Sequence, residues 1–537
     1  MSVDRRLRAV AAATAAATVL LSGCTPDGGA GGSDADATLR ILAGSEVADL
    51  EPLLAEVTER TGVAVEMEYV GTLDGMARVA AGQIDDVDAI WFGSNRYLGL
   101  LLEDGQQALA EEHPVMLSPV VVGVAESTAQ ARGWTDDAEV TWADIAEAVA
   151  ENEFRYGMTN PGASNSGFSA LIGVASALAD TGAALEVEDV EEVAPELEEF
   201  FAGHALTSGS SGWLSDRYAG LAAEGDAVPG LINYESVLLS LNESGDLPEP
   251  LHIVRPADGV VTSDYPLTLL ADPSEEAADA YGRLVADLTS EDTQGQITEQ
   301  TWRRPATPGV EPAGDVPDLV ELPFPTHQDV VDELVGRYFA ELRRPTRTVF
   351  VLDVSGSMEG ERIESLRTSL SALTGVDDQS VSALSQSFHE RDEVTLLPFS
   401  TEPEEPTTFL LGDAGSSVRD ELAEHVDGLE ADGGTAGYDA LADAYDFLGA
   451  VDGAEEFFTS VVLMTDGEVN EGMEYPDFRD LHGDLAEPVA GVPTFTVLFG
   501  ESDAPEMTEL AELTGGRVFD AREQSLDAVF REIRGYQ

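Results

Sequence analysis

Residues 348–352, Thr-Val-Phe-Val-Leu, form a short apolar run. A run of this length, rich in β-branched and aromatic side chains, predicts a strand covered on both faces, as in parallel sheets flanked by helices. It passes directly into Asp353-Val354-Ser355-Gly356-Ser357-Met358, and helical spacing follows from about Glu361 to Leu373. A strand, a polar turn and a helix in that order set a carboxylate and two hydroxyls at the carboxyl end of a strand. Open α/β sheets bind ligands at that edge.

Two further segments complete the pattern. Asp432-Gly433-Gly434-Thr435 opens a predicted helix through Leu448 and offers a hydroxyl. Phe457 to Met464 is a mostly apolar predicted strand that ends in Thr465-Asp466-Gly467 and offers a second carboxylate. Asp353, Ser355, Ser357, Thr435 and Asp466 are all hard oxygen donors, with no His or Cys among them. Such a set suits Mg²⁺, Mn²⁺ or Ca²⁺ rather than Zn²⁺. Asp-x-Ser-x-Ser on its own is also a common turn or helix-cap string.

The five residues in this order resemble the metal-ion-dependent adhesion site of von Willebrand factor A domains, and the DVSGSM form resembles bacterial members. The resemblance covers about residues 346–537. It implies a doubly wound, Rossmann-like sheet with helices on both faces. Thr494–Phe499 and Gly516–Phe519 fit as strands, and Ala504–Thr514 and Ser525–Arg534 as helices. It further implies a divalent cation with one open position, which a partner's Glu or Asp fills. That is a contact, not a catalyst, and the motif supplies no activated nucleophile. His389, His425 and His482 fall on segments expected to be exposed.

The region before it alternates in the same way. Thr38–Ala43, Val63–Tyr69, Asp88–Phe92 and Val120–Val124 read as strands, with helical spacing between them, which implies parallel α/β architecture. Val120-Val121-Val122-Gly123-Val124, Thr141-Trp142-Ala143-Asp144 and Asn160-Pro161-Gly162-Ala163-Ser164-Asn165-Ser166-Gly167 resemble segments of two-lobed bacterial extracellular solute-binding proteins. So do Asn233-Tyr234-Glu235-Ser236, Tyr265-Pro266-Leu267 and Ser290–Arg304. This periplasmic-binding-protein-like resemblance covers residues 38–304. Small polar residues at helix starts can cradle a polar solute. The candidate contacts are Ser45, Ser94, Ser164, Asn165, Ser166 and Tyr234, and each also reads as a cap or turn residue. Six prolines from Pro305 to Pro325 mark a linker or strap, and His327–Arg344 a helix, so residues 305–345 join the two regions.

The amino terminus reads as an export signal over residues 1–23. Arg5, Arg6 and Arg8 precede an apolar run from Ala9 to Leu21, too short to span a bilayer. Leu21-Ser22-Gly23-Cys24 resembles a bacterial lipobox, which implies a lipid on Cys24, the single Cys of the chain. Residues 24–37 then form a flexible tether. The whole places the protein on the outer face of the cell membrane. Net charge is -76, from 103 acidic and 27 basic residues, and every basic residue is Arg. Nucleic acid is thereby disfavoured as a partner. The acidity fits either a saline habitat or the solubility of an exported protein.

Three function classes follow. The leading one is a surface lipoprotein that binds a protein or acidic ligand through a divalent cation, with the first region as scaffold or sensor. The alternative is an ABC-transporter-type solute receptor docked by its second domain. An enzyme is disfavoured, because no nucleophile motif, zinc motif or phosphate loop occurs.

Overall fold

A computed structural model of the protein describes residues 35–537 except 85, 103–106, 136–137, 315, 375–380, 382–383, 385–386, 413–415, 454–455, 467–468, 487, 499, 501–503, 523–525 and 537. The expected signal (1–23), Cys24 and most of the tether lie outside the described residues.

The first region contains two sheets. One runs in the order β2 (Val63–Val70), β1 (Ala37–Gly44), β3 (Ala89–Trp91), β11 (Pro266–Leu270), β4 (Leu109–Pro114). The other runs β10 (Thr262–Ser263), β5 (Met116–Ala125), β8 (Gly230–Tyr234), β6 (Tyr156–Thr159), β7 (His204–Ser208). Two further strands, β9 (Leu251–Val254) and β12 (Arg304–Pro305), also pair with β5. The chain passes from one sheet to the other between β4 and β5, returns between β10 and β11, and comes back to the second sheet at β12, which makes two lobes.

These sheets are mixed, not purely parallel as the alternation implied. β1 is parallel to β2 and β3, but β11 is antiparallel to β3 and β4. β5 is antiparallel to β8, β9, β10 and β12. The strands next to the crossings, β5 and β11, carry the reversed direction, so the departure lies where the chain changes lobe.

Local signals fix the helices. Thr141 and Asp144 form a reciprocal capping box, with Thr141 Oγ1 accepting from the Asp144 amide (3.1 Å) and Asp144 accepting from the Thr141 amide (2.8 Å). Trp142 beside it is buried, and its indole donates to the Gly259 carbonyl at 2.9 Å. The proline-rich segment is a strap on this region rather than a free linker. The Val260 amide donates to the Val320 carbonyl and the Leu322 amide to the Val260 carbonyl, at 2.9 and 2.8 Å. The helix Gln328–Arg337 and the wider turn Tyr338–Leu342 bury Val330, Val331, Leu334 and Tyr338 in the core of the first region.

The third sheet runs β15 (Thr407–Leu410), β14 (Glu393–Phe399), β13 (Thr346–Asp353), β16 (Phe458–Thr465), β17 (Thr494–Leu498), β18 (Val518–Asp520). Every pair is parallel except β14 with β15. The apolar run in β13 is explained by cover on both sides. Phe350 and Leu352 join one buried cluster, and Val349 and Val351 join the other. The first cluster includes helices Glu361–Thr374 and Leu526–Gly535, and the second Gly437–Ala450 and Ala504–Thr514. Trp213 of the second lobe packs edge-on to Tyr536, with ring centres 5.0 Å apart.

Asp392 sits fully buried at the base of this sheet. Its Oδ1 accepts from Arg343 at 2.6 Å and from the Thr346 amide at 2.9 Å. Its Oδ2 accepts from Arg534 at 3.0 Å and from the His389 amide at 2.9 Å. One carboxylate thus ties the connecting segment, the sheet and the last helix together. Burial raises its pKa, but Arg343 and then Arg534 overcome that and hold it well below the usual carboxylate range.

Candidate functional site

β13 delivers Asp353 and β16 delivers Asp466 to the same sheet edge, because the two strands are adjacent and parallel. Both carboxylates are buried, Asp353 completely. Asp353 Oδ1 accepts from the Ser355 amide at 2.8 Å, and its Oδ2 from the Thr465 hydroxyl at 2.8 Å. Ser355 Oγ lies 2.9 Å from Ser357 Oγ, which donates to Asp466 Oδ1 at 2.7 Å. Four of the five predicted ligands thereby form one hydrogen-bonded chain.

Thr435 arrives on a loop clamped to this turn. The Gly356 amide donates to the Gly433 carbonyl at 3.1 Å, and the Asp432 amide to the Val354 carbonyl at 2.9 Å. Asn470, just after the Asp466 turn, exchanges hydrogen bonds with the Thr435 backbone (3.0 and 3.1 Å). Thr435 is buried. The helix it introduces begins at Gly437, two residues later.

The electrostatics favour a cation. Burial pushes the Asp353 carboxyl up; hydrogen bonds from Ser355 and Thr465 oppose this, and neighbouring Asp466 adds to it. The site answers with a group that the sequence reading missed. Arg362, on the helix after the turn, pairs with Asp466 Oδ2 and donates to the Ser357 carbonyl at 3.2 Å. Its side chain remains 40% exposed while Asp466 is fully covered. Gly500 lies against this pair: its φ is +77°, and a Cβ there would fall 3.1 Å from the guanidinium carbon. Among the described residues no three His, Cys, Asp or Glu side chains cluster as a metal centre. Two carboxylates with three hydroxyls is a hard-oxygen set that fits Mg²⁺, Mn²⁺ or Ca²⁺.

The solute-contact candidates divide. Asn165 Nδ2, on the second lobe, donates to Tyr234 Oη and to Ser263 Oγ, both at 2.8 Å. A Cβ on Gly93 of the first lobe would fall 2.8 Å from Asn165 Nδ2, 2.9 Å from Glu46 Oε1 and 3.0 Å from Tyr234 Oη. Asn165 and Tyr234 therefore face the first lobe. Ser164 and Ser166 belong to a buried hydroxyl network with Thr159 and Ser211. Ser94 accepts from the Arg96 amide at 3.3 Å, as a turn residue does. Ser45 is exposed and its neighbour Glu46 takes the inward position, accepting from Thr72 Oγ1 at 3.0 Å. A lone Glu in an acidic chain carries no signal, so nothing in the sequence singles out Glu46. Arg303, buried and paired with Asp49 at 2.6 Å, supports this corner with its guanidinium over the Tyr265 ring.

Two of the three histidines expected on exposed segments are not surface residues. His482 is buried beside Tyr445, and His389 is half-buried and stacked on Phe339, with ring centres 4.6 Å apart. Desolvation, and then Arg343, push the His389 imidazole down to about 3. His425 is exposed as expected.

The architecture is that of a two-lobed binding domain followed by a doubly wound domain with a hard-oxygen site at its sheet edge. Residues 39–303 match the family model of bacterial extracellular solute-binding proteins, and residues 348–532 that of von Willebrand factor type A domains. The chain combines one domain of each kind. It is 30% identical over 151 residues to human inter-alpha-trypsin inhibitor heavy chain H4, covering 27% of this chain and 15% of that protein. The bovine counterpart is 31% identical over 138 residues, covering 25% and 14%. The chain thus spans about a seventh of the length of these curated relatives. Among solved structures it resembles the periplasmic binding protein AfuA from Actinobacillus pleuropneumoniae (14% identity, 57% of this chain and 99% of that one, TM-score 0.44). It also resembles the ferric binding protein from Campylobacter jejuni (15%, 56% and 98%, TM-score 0.42). Among the described residues no helix is long and apolar enough to cross a membrane.

Proposed function

We propose that this is a surface lipoprotein that binds a protein or acidic ligand through a divalent cation. Asp353, Ser355, Ser357, Thr435 and Asp466 hold the cation, which would supply positive charge for a carboxylate of the partner. The reading rests chiefly on the hydrogen-bonded chain from Asp353 to Asp466, which gathers two buried carboxylates beside a single partly exposed guanidinium, that of Arg362 on Asp466. The chain acts by binding, with no catalytic step, and a lipid on Cys24 holds it to the membrane. The test is surface plasmon resonance of an immobilised full chain with a glutamate-bearing peptide, in Mn²⁺ and in chelator. Binding in Mn²⁺ only, and its loss in Ser357→Ala, is expected. Binding that survives chelator contradicts the reading.

A second reading, an ABC-transporter-type solute receptor, draws on the polar group formed by Glu46, Asn165 and Tyr234 between the lobes. It predicts a small polar solute that raises the melting temperature of the wild type and not of Asn165→Ala.

A further inference from the structure

Where the second lobe meets the C-terminal domain there is a cavity of about 360 Å³. Small-molecule sites begin at about 300 Å³. Its lining inverts the charge balance of the molecule. The chain as a whole has 103 acidic and 27 basic residues, whereas this cavity is lined by four arginines and one carboxylate, Asp226.

The four arginines come from three places. Arg155 and Arg217 belong to the second lobe, Arg344 to the connecting segment and Arg347 to β13. Arg217 reaches across to the Gly491 carbonyl at 3.2 Å. Arg347 is paired with Glu393 at 2.6 Å and lies over the Phe457 ring. Arg344 lies over the Phe458 ring, 5.3 Å from its centre. Arg155 is exposed and makes no ion pair among the described residues. Trp213 and Tyr536 add aromatic surface to the same walls. Guanidinium groups are drawn to acids in a chain this acidic, and gathering them around one void sets like charges together. An anion in the void reverses that repulsion, and the planar guanidinium matches carboxylate and phosphate oxygens.

We propose that this cavity binds an oxyanion, a carboxylate or phosphate carried on a small aromatic or apolar body, clasped between the second lobe and the C-terminal domain. The site is separate from the hard-oxygen site and needs no metal. The test is isothermal titration calorimetry of the full chain at constant ionic strength with a chelator present, using phenyl phosphate, benzoate and uncharged phenol. Saturable binding of phenyl phosphate or benzoate, but not of phenol, is expected, and the tighter of the two identifies the headgroup. Arg155→Gln and Arg344→Gln should each weaken binding about tenfold, the equivalent of about 1.4 kcal/mol. Arg155→Gln is the decisive variant, since that exposed side chain supports no described ion pair. No saturable binding of either anion, or binding unchanged in Arg155→Gln, overturns the proposal.

Discussion

Arg362 competes with any cation for Asp466. Its guanidinium already neutralises the buried carboxylate, so a divalent ion must displace it. The perturbation that tests this is Arg362→Gln. A hydrogen bond to a charged group contributes about 1.5–3 kcal/mol. Arg362 is 40% exposed, so solvent screening lowers the figure to about 1–2 kcal/mol. The variant should therefore bind Mg²⁺ or Mn²⁺ about 5- to 30-fold more tightly than wild type. The cation-free protein loses the same pair and should melt at a lower temperature. The cation-saturated protein has already released Arg362, so its melting temperature should be unchanged. Calorimetric titration gives the affinities, and melting curves with and without cation give the stabilities. Equal or weaker cation affinity in Arg362→Gln would refute the competition.

Other expectations follow from the same structure. Asp392→Ala leaves Arg343 and Arg534 buried without their carboxylate and should lose about 3–5 kcal/mol, measured by urea unfolding. His204, buried between Tyr156 and Phe458, is lowered by desolvation to about 4. Its unfolded form takes up a proton below about 6.5, so stability is lost as pH falls from about 6.5 towards 4, by about 3 kcal/mol in all. In His204→Asn the melting temperature should depend less on pH across that window. Gly93→Ala drives a methyl against Asn165, Glu46 and Tyr234 and should cost about 1–3 kcal/mol, seen as a lower melting temperature.

Elements set by local chemistry were legible in the sequence. The β13 apolar run and the polar turn after it follow from short-range pattern, whereas the grouping of Asp466 with that turn follows from the resemblance to von Willebrand factor A domains. The helix start at Thr141–Asp144 was legible through its resemblance to solute-binding proteins, and the structure adds the capping box. What depends on distant partners was hidden. The mixed direction of the first two sheets comes from the repeated crossings between lobes. The sequence left linker and strap open around Leu322, because the hydrogen bonds that decide for a strap are made to Val260, about sixty residues earlier. Glu46 and Arg362 were invisible for a further reason: an acid among 103 and an arginine at the start of a half-buried helix gain meaning only from what they face. The burial of His389 and His482 likewise depends on aromatic neighbours that no periodicity reveals.

The central claim is that the β13–β16 edge is a divalent-cation site. Its most direct test is a melting curve of the full chain, wild type beside Asp353→Asn, with Mg²⁺, Mn²⁺, Ca²⁺ or chelator at constant high ionic strength. Cation at about 100 times its dissociation constant should stabilise the wild type by about 2.7 kcal/mol and leave Asp353→Asn unmoved. A wild type that melts at the same temperature in cation and in chelator, or a variant that responds equally, would contradict the claim.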